Sequence, residues 1–344
     1  EPAEYVKICD VYGAGYFYIP GTETCLRIGG YVRYDIAAGE RGSFDSARSI
    51  DTLNGDEQGT WKKNARFTLK TWTGQETELG TLKTYTETRF NFGNGSGISD
   101  GVATTNPAGN SGISLNFAWI QLGGLRVGKD ESAFNTFIGY AGNVIQDTLV
   151  PYGDFDTNVV QYYFDAGNGF SAVVSLEEGS GTANGYRGTI DSYVPHVVGG
   201  VKYTQGWGAI TGVVAYDSNY EEWAGKLRLD VNVNDQLSLF VIGGYGSDKN
   251  TFRNFYKQWG DNWAVWGGGT YKFNEKTSFN LQVSYDQAKE FGLAANVAYT
   301  VVPGLTVTAE VDWAHATEFG ASWTGIPAGK KNAVGGILRF QRDF

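Results

Sequence analysis

The sequence predicts an all-β protein: a transmembrane barrel of 16 antiparallel strands closed on itself, with the third long loop folded inward. Three observations carry that expectation. First, segments of about ten residues alternate apolar and polar with a period of two, the signature of a strand between two media. In 278–286, Phe279, Leu281, Val283 and Tyr285 oppose Ser278, Asn280, Gln282, Ser284 and Asp286. In 305–313, Leu305, Val307, Ala309, Val311 and Trp313 oppose Thr306, Thr308, Glu310 and Asp312. Second, the polar face carries charge: Glu222, Lys226, Arg228 and Asp230 lie opposite Trp223, Leu227, Leu229 and Val231. Third, the gaps between segments are by turns short and long, as the two rims of a bilayer-spanning barrel require.

Sixteen segments can be drawn, near 24–36, 61–73, 80–92, 113–123, 125–129, 157–165, 169–178, 193–204, 207–217, 221–233, 236–246, 261–273, 276–286, 290–300, 304–314 and 332–344. Even-numbered segments are followed by tight-turn residues: Gly123 and Gly124, 166–169, Gln205 and Gly206, Asn234 and Asp235, Asn274 and Glu275, and 301–304. These supply positive φ or a preset turn. Odd-numbered segments are followed by longer polar gaps at 37–60, 93–112, 130–156, 179–192, 247–260 and 315–331. An even count lets the last strand pair with the first and removes both sheet edges. Segment 114–122 alternates poorly, because Phe117, Trp119, Ile120 and Leu122 fall on both faces; this predicts a bulge or a protein-covered outer face. The third segment turns Thr84, Thr86 and Thr88 outward beside Leu82, Phe90 and Phe92. A neighbouring subunit suits that stripe better than lipid, so an oligomer formed through the early strands is expected. At the end of the chain, Leu338, Phe340 and Phe344 share one face, as in a final strand whose last ring sits at the interface.

Composition agrees. Among 344 residues are 49 Gly and 15% aromatics, suited to closely packed twisted strands with aromatic girdles. No stretch approaches the roughly 18 apolar residues of a membrane helix, a test to which alternating strands are invisible. The formal net charge of −10 argues against a nucleic-acid partner. The chain begins at Glu1 rather than Met, and an export leader is expected to be already removed. Cys9 and Cys25 read either as a disulfide closing a loop of about 15 residues, worth roughly 3 kcal/mol, or as two buried thiols. The oxidising compartment of an exported barrel favours the bridge, and zinc lacks further ligands.

Phasing the early strands by their apolar members turns seven cations inward: Arg27, Arg33, Arg66, Lys70, Lys83, Arg89 and Arg126, with Asp35 and Glu87 among them. The gap 130–156 holds Asp130, Glu131, Asp147, Asp154 and Asp156, together with Phe134, Phe137, Ile138, Tyr140, Val144, Ile145, Leu149 and Val150. A loop with that much apolar surface should bury it. Folding into the barrel would do so and would set acids opposite the basic wall, making a constriction with a transverse field. The alternative is a solvated external loop with scattered charges. Catalytic signals are thin: His196 and His315 read as rim residues rather than bases. Gly13 and Gly15 lack the third glycine of a dinucleotide site, and no metal-ligand spacing occurs, so no cofactor is expected.

Several stretches give the chain a close resemblance, from end to end, to the general porins of alphaproteobacteria, the rhizobial type. They are 9–28 (CDVYGAGYFYIPGTETCLRI), 79–87 (LGTLKTYTE), 120–128 (IQLGGLRVG), 213–223 (VVAYDSNYEEW), 262–268 (NWAVWGG) and 340–344 (FQRDF). The resemblance implies a homotrimer of 16-stranded barrels set in outer-membrane lipid and lipopolysaccharide, an inward third loop, passive diffusion of small hydrophilic solutes, and the Cys9–Cys25 pair. Loops 37–60 and 93–112 fit the family pattern poorly. A substrate-specific porin is the main alternative; it calls for an aromatic lumen lining, but most aromatics phase outward and Tyr31, Trp72 and Tyr85 are too few to make one. An outer-membrane enzyme and a soluble all-β binding protein fit less well.

Overall fold

The computed structural model describes residues 6–39, 47–95, 98–99, 102–105, 107–181, 188–316 and 331–344. Among these, 16 strands form one ring. They are β1 (Cys25–Gly39), β2 (Lys62–Thr77), β3 (Gly80–Gly93), β4 (Gly109–Leu122), β5 (Leu125–Glu131), β6 (Asp156–Asp165), β7 (Phe170–Gly179) and β8 (His196–Gln205). The second half comprises β9 (Gly208–Asp217), β10 (Glu222–Asn232), β11 (Leu237–Gly246), β12 (Trp263–Lys272), β13 (Thr277–Asp286), β14 (Phe291–Val302), β15 (Leu305–His315) and β16 (Asn332–Asp343). Each pairs antiparallel with the next, and β16 closes on β1 with Tyr31 opposite Asp343 and Gly39 opposite Gly335. A short strand Phe17–Tyr18 adds onto the start of β1, opposite Leu26 and Cys25.

The closing seam depends on Gly30. Its φ of +144° suits glycine, and a Cβ there would stand 1.9 Å from the Thr68 carbonyl oxygen. The chain end returns to the same residue: the Gly30 amide donates to Phe344 O at 3.1 Å, and the Phe344 amide donates to Gly30 O at 3.0 Å. The terminal Phe344 thus completes the ladder that no solvent could complete in hydrocarbon.

The two faces separate as the alternation requires. Asn280, Gln282, Ser284 and Asp286 of β13 are buried, whereas Tyr285 is exposed; Glu310 and Asp312 of β15 are buried, whereas Val311 and Trp313 are exposed. The doubtful segment is bulged. In β4 the register against β3 shifts between Glu87 and Thr88. On the short-turn side of that shift, Phe117 and Trp119 take the lumen parity and Ile120 the lipid parity, so both faces of the segment are apolar for different reasons.

Strand ends differ from the sequence reading in the early strands. β1 to β4 run 15, 16, 14 and 14 residues, longer than drawn, because small or polar residues at their ends, such as 37–39, 74–77 and 109–112, pair without alternating. Gap 130–156 also shrinks: β5 continues to Glu131 and β6 begins at Asp156, leaving 132–155 as the loop. Loop 37–60 contains a hairpin of Ala47–Ile50 with Glu57–Thr60. Residues 40–46, 182–187 and 317–330 of the long gaps lie outside the described residues, as do 96–97, 100–101 and 106.

Leu227 of β10 faces outward with 63% exposure. Leu227→Arg should therefore lower the unfolding free energy from lipid vesicles by about 2–4 kcal/mol, whereas Ser238→Lys, on the lumen face of β11, should change it by about 0.5 kcal/mol or less. Urea titrations followed by tryptophan fluorescence check both.

Candidate channel constriction

The loop 132–155 enters the barrel immediately after β5. Ser132 caps a single helical turn α1 (Ala133–Thr136): its Oγ accepts from the Phe134 amide at 3.1 Å and donates to Glu177 Oε1 at 2.6 Å. The Ala133 amide donates to Glu177 Oε2 at 2.9 Å, so one carboxylate of β7 fixes the loop's entry. From there the loop crosses the inner surface of the later strands, tied at each step. Lys226 Nζ of β10 donates to Asn135 Oδ1 at 2.7 Å and to Tyr152 O at 2.9 Å. Arg228 Nη1 donates to Tyr140 O at 2.6 Å. Gln282 Nε2 of β13 donates to the carbonyls of Ala141 and Asp147, both at 2.7 Å. The Ile145 and Gln146 amides donate to the two oxygens of Glu310 on β15, at 2.7 and 2.9 Å. Trp266 Nε1 of β12 donates to Val150 O at 2.7 Å.

Six of the eight apolar residues expected to be buried are so. Phe134, Phe137, Ile138 and Val150 join a cluster with Val198, Val213, Ile242 and Trp266 of the barrel wall, while Val144 and Leu149 pack against Ala294. Ile145 is only half-buried, and Tyr140 is 47% exposed with its hydroxyl reaching Glu131. A second inward segment completes the packing. Phe255, Tyr256 and Trp259, from the connection between β11 and β12, are buried in the same cluster, with the Tyr256 hydroxyl on Glu177 at 2.9 Å.

The seven cations all take the lumen parity, but they do not form one row. Arg33 stands opposite Arg66 in register, and Lys70 opposite Glu87. Arg33 Nε donates to Gln341 Oε1 at 2.8 Å, Arg66 Nε donates to Asn91 Oδ1 at 2.9 Å, and Glu87 takes Arg89 at 2.9 Å and Lys70 at 3.7 Å. Arg339 of β16, unnoticed in the sequence, joins this group through Asp35 at 2.8 Å. Arg27 and Lys83 lie nearer the short turns. Arg126 stacks 3.7 Å above the Trp119 ring and pairs with Asp130 at 2.8 Å.

The five acids also divide. Asp130 and Asp156 are strand residues paired with Arg126 and Lys129, so they neutralise neighbours on their own side instead of facing the wall. Glu131 interacts electrostatically with Arg89 as well as holding Tyr140. Asp154 turns back on the Phe155 amide at 2.8 Å, and burial raises its carboxyl above the usual range. Asp147 accepts the Tyr152 hydroxyl at 2.6 Å; burial pushes it up to about 7, with Glu310 and Glu131 adding repulsion. His196 begins β8 at the long-loop rim, as expected, but its ring is buried, Nε2 donating to Gly188 O at 2.8 Å and Nδ1 accepting the Ser218 amide at 3.0 Å. His315 does end its strand, beside Asn332 at 2.7 Å. Cys9 and Cys25 form the disulfide, with Cα atoms 6.0 Å apart.

Residues 1–337 match the family profile described as the porin subfamily. The chain belongs to that porin family. Porin Omp2b of Brucella suis biovar 1 is 52% identical over 349 residues, covering 100% of this chain and 91% of its own; the Brucella melitensis biotype 1 protein gives the same figures. Solved structures share the fold at low identity. The outer membrane channel DcaP of Acinetobacter baumannii aligns with a TM-score of 0.65 at 15% identity, over 95% of this chain and 99% of its own. A triple mutant of the Rhodopseudomonas blastica porin gives 0.59 at 13%, over 93% and 100%. The anion-selective porin from Comamonas acidovorans gives 0.57 at 14%, over 94% and 100%. This porin is a bacterial outer-membrane channel for passive diffusion; the family marks it as a channel rather than an enzyme.

Glu310 is the clearest test of how the loop is held. Glu310→Ala in this porin removes the two charge-assisted hydrogen bonds to the loop, each worth about 1.5–3 kcal/mol, and a third from Asn296 Nδ2. Single-channel recordings should show larger mean conductance and more open-channel noise, with the barrel still migrating as folded protein on unheated gels.

Proposed function

We propose that loop 132–155 sets the size limit of the pore, and that small hydrophilic solutes pass between it and the cation group Arg33, Arg66, Lys70 and Arg89. The observation that carries this reading is the Glu177, Lys226, Gln282 and Glu310 series, which ties the loop to the far wall along its length. A loop so tied narrows the lumen permanently instead of gating it. Glu131 and Asp147 on the loop side, with the cations across from them, supply the transverse field that orders water and disfavours large apolar solutes. Selectivity is weakly charge-dependent: Glu87 and Asp130 offset part of the cationic wall, Asp35 offsets Arg339, and Glu131 adds acid beside Arg89.

The working unit is a homotrimer, joined through the outer face of β2 to β4 and surrounded elsewhere by outer-membrane lipid and lipopolysaccharide. Two threonine pairs support that surface, Thr71 with Thr86 and Thr73 with Thr84, each satisfying its hydroxyls across strands on a face that lipid alone would not select. Reconstituted bilayers should show stepwise ohmic conductance, in triplets; cross-linking in mild detergent that yields only monomer would overturn the trimer.

Asp147 gives the pore a pH signature. The native loop keeps this proton above the pH at which an unfolded chain releases it, so the residue's contribution to stability falls as pH climbs towards 7 and levels off beyond. Across the same window the loop gains a negative charge. The reversal potential in a KCl gradient should move towards cation preference between about pH 5 and about pH 9, and Asp147→Asn should abolish most of that movement.

A further inference from the structure

The bulge in β4 gives the pore a feature that the family reading does not contain. Four neighbouring strands place Arg27, Trp72, Tyr85 and Trp119 side by side in register on lumen-facing positions. Ring centroids are 5.5 Å apart for Trp72 and Tyr85, and 5.9 Å for Tyr85 and Trp119. The Arg27 guanidinium lies 4.4 Å above the Trp72 ring. One inward position nearer the short turns stands Lys83. The N-terminal segment covers the fourth side with Tyr12 and Tyr16, and it is held there by the Cys9–Cys25 disulfide. Tyr12 occupies the space that Gly74 leaves: a Cβ on Gly74 would come within 2.7 Å of its ring. The result is a cavity of about 630 Å³ lined by Tyr12, Tyr16, Trp72, Lys83, Tyr85 and Trp119.

Its charge is unusual for this lumen. The cations deeper in the pore are paired or bonded to amides, whereas Arg27 and Lys83 have no carboxylate partner among the described residues. The neighbouring acid, Glu76, is occupied by the Tyr12 hydroxyl at 3.1 Å and the Thr81 hydroxyl at 2.9 Å. The hydroxyls of Tyr12 and Tyr85 are likewise given to Glu76 and Glu87, which leaves few donors or acceptors for a sugar. A guanidinium stacked on indole keeps its N–H edge free to fork a carboxylate, and the rings around it accept a flat apolar body.

We propose that this cavity is a subsite for small aromatic carboxylates, the class of benzoate, through which such anions pass more slowly than their size requires. The proposal rests on the lumen reading of the channel. Benzoate is the probe; acetate carries the charge without the ring, and benzyl alcohol carries the ring without the charge. Single-channel steps in KCl alone are recorded first, and their absence would sink the channel reading itself. With steps present, benzoate added on the short-turn side should reduce the current saturably, and acetate and benzyl alcohol should not. Lys83→Gln should raise the half-blocking concentration about fivefold, and Tyr16→Ala should shorten the blocked events. Equilibrium dialysis of radiolabelled benzoate against the detergent-solubilised protein provides a second readout, with saturable uptake expected and loss of it in Lys83→Gln. Benzoate behaving as acetate does, or a block unchanged by Lys83→Gln, would overturn the subsite while leaving the channel intact.

Discussion

The ladder between β1 and β16 is the constraint from which the rest follows. In hydrocarbon an unpaired amide or carbonyl costs several kcal/mol, and an open seam would expose two full edges of them. Closure also fixes parity: a one-residue slip in any strand would exchange its lipid and lumen faces. Gly30 and Phe344 finish the seam by pairing with each other, where any side chain on Gly30 would collide with Thr68. β3 and β4 change register twice, and the shift between Glu87 and Thr88 is where the lumen acquires Phe117 and Trp119. A local departure from regularity is tolerated because its partners re-pair on both sides.

Once the ring is closed, its interior has to be furnished, and the chain does so unevenly. Loop 132–155 and the segment around Phe255–Trp259 together fill the space inside β7 to β12 with apolar side chains. The buried charged anchors Glu177 and Lys226 each have structural partners. Glu177 accepts from two amide or hydroxyl donors of the loop's entry and from Tyr256, and Lys226 is satisfied by a side-chain amide and a carbonyl. Charge left unpaired in such a place would be costly, which explains why these anchors bind the loop so completely.

Much of this was legible in the residues. Alternation in 278–286 and 305–313 sorted lipid from lumen correctly, turn residues identified the two rims, and the greasy loop content around Phe134 and Leu149 foretold its burial. Parity alone also pointed the seven cations inward. What could not be read was height and partnership. The sequence does not say that Arg33 meets Arg66 at one level while Lys83 sits nearer the short turns, since that depends on strand stagger. Nor does it say that Asp130 and Asp156 belong to strands and spend their charge on Arg126 and Lys129. Lys226 and Glu310 were visible as inward charges, yet nothing local announced that their partners would be 91 and 165 positions away. Poor alternation in 114–122 was the only hint of two extra lumen rings, and a bulge is a property of the pair of strands rather than of either one.

The second inward segment alters the geometry of entry. Because Phe255 and Trp259 pack with the inward loop in one cluster against β7 to β12, the space left for water would be eccentric, displaced towards β16 and the early strands. A solute descending it samples an arc of wall instead of a full circumference. Neighbouring barrels in an assembly joined through those early strands would therefore bring their water columns close together near the shared axis, with the solid halves turned out towards the lipid.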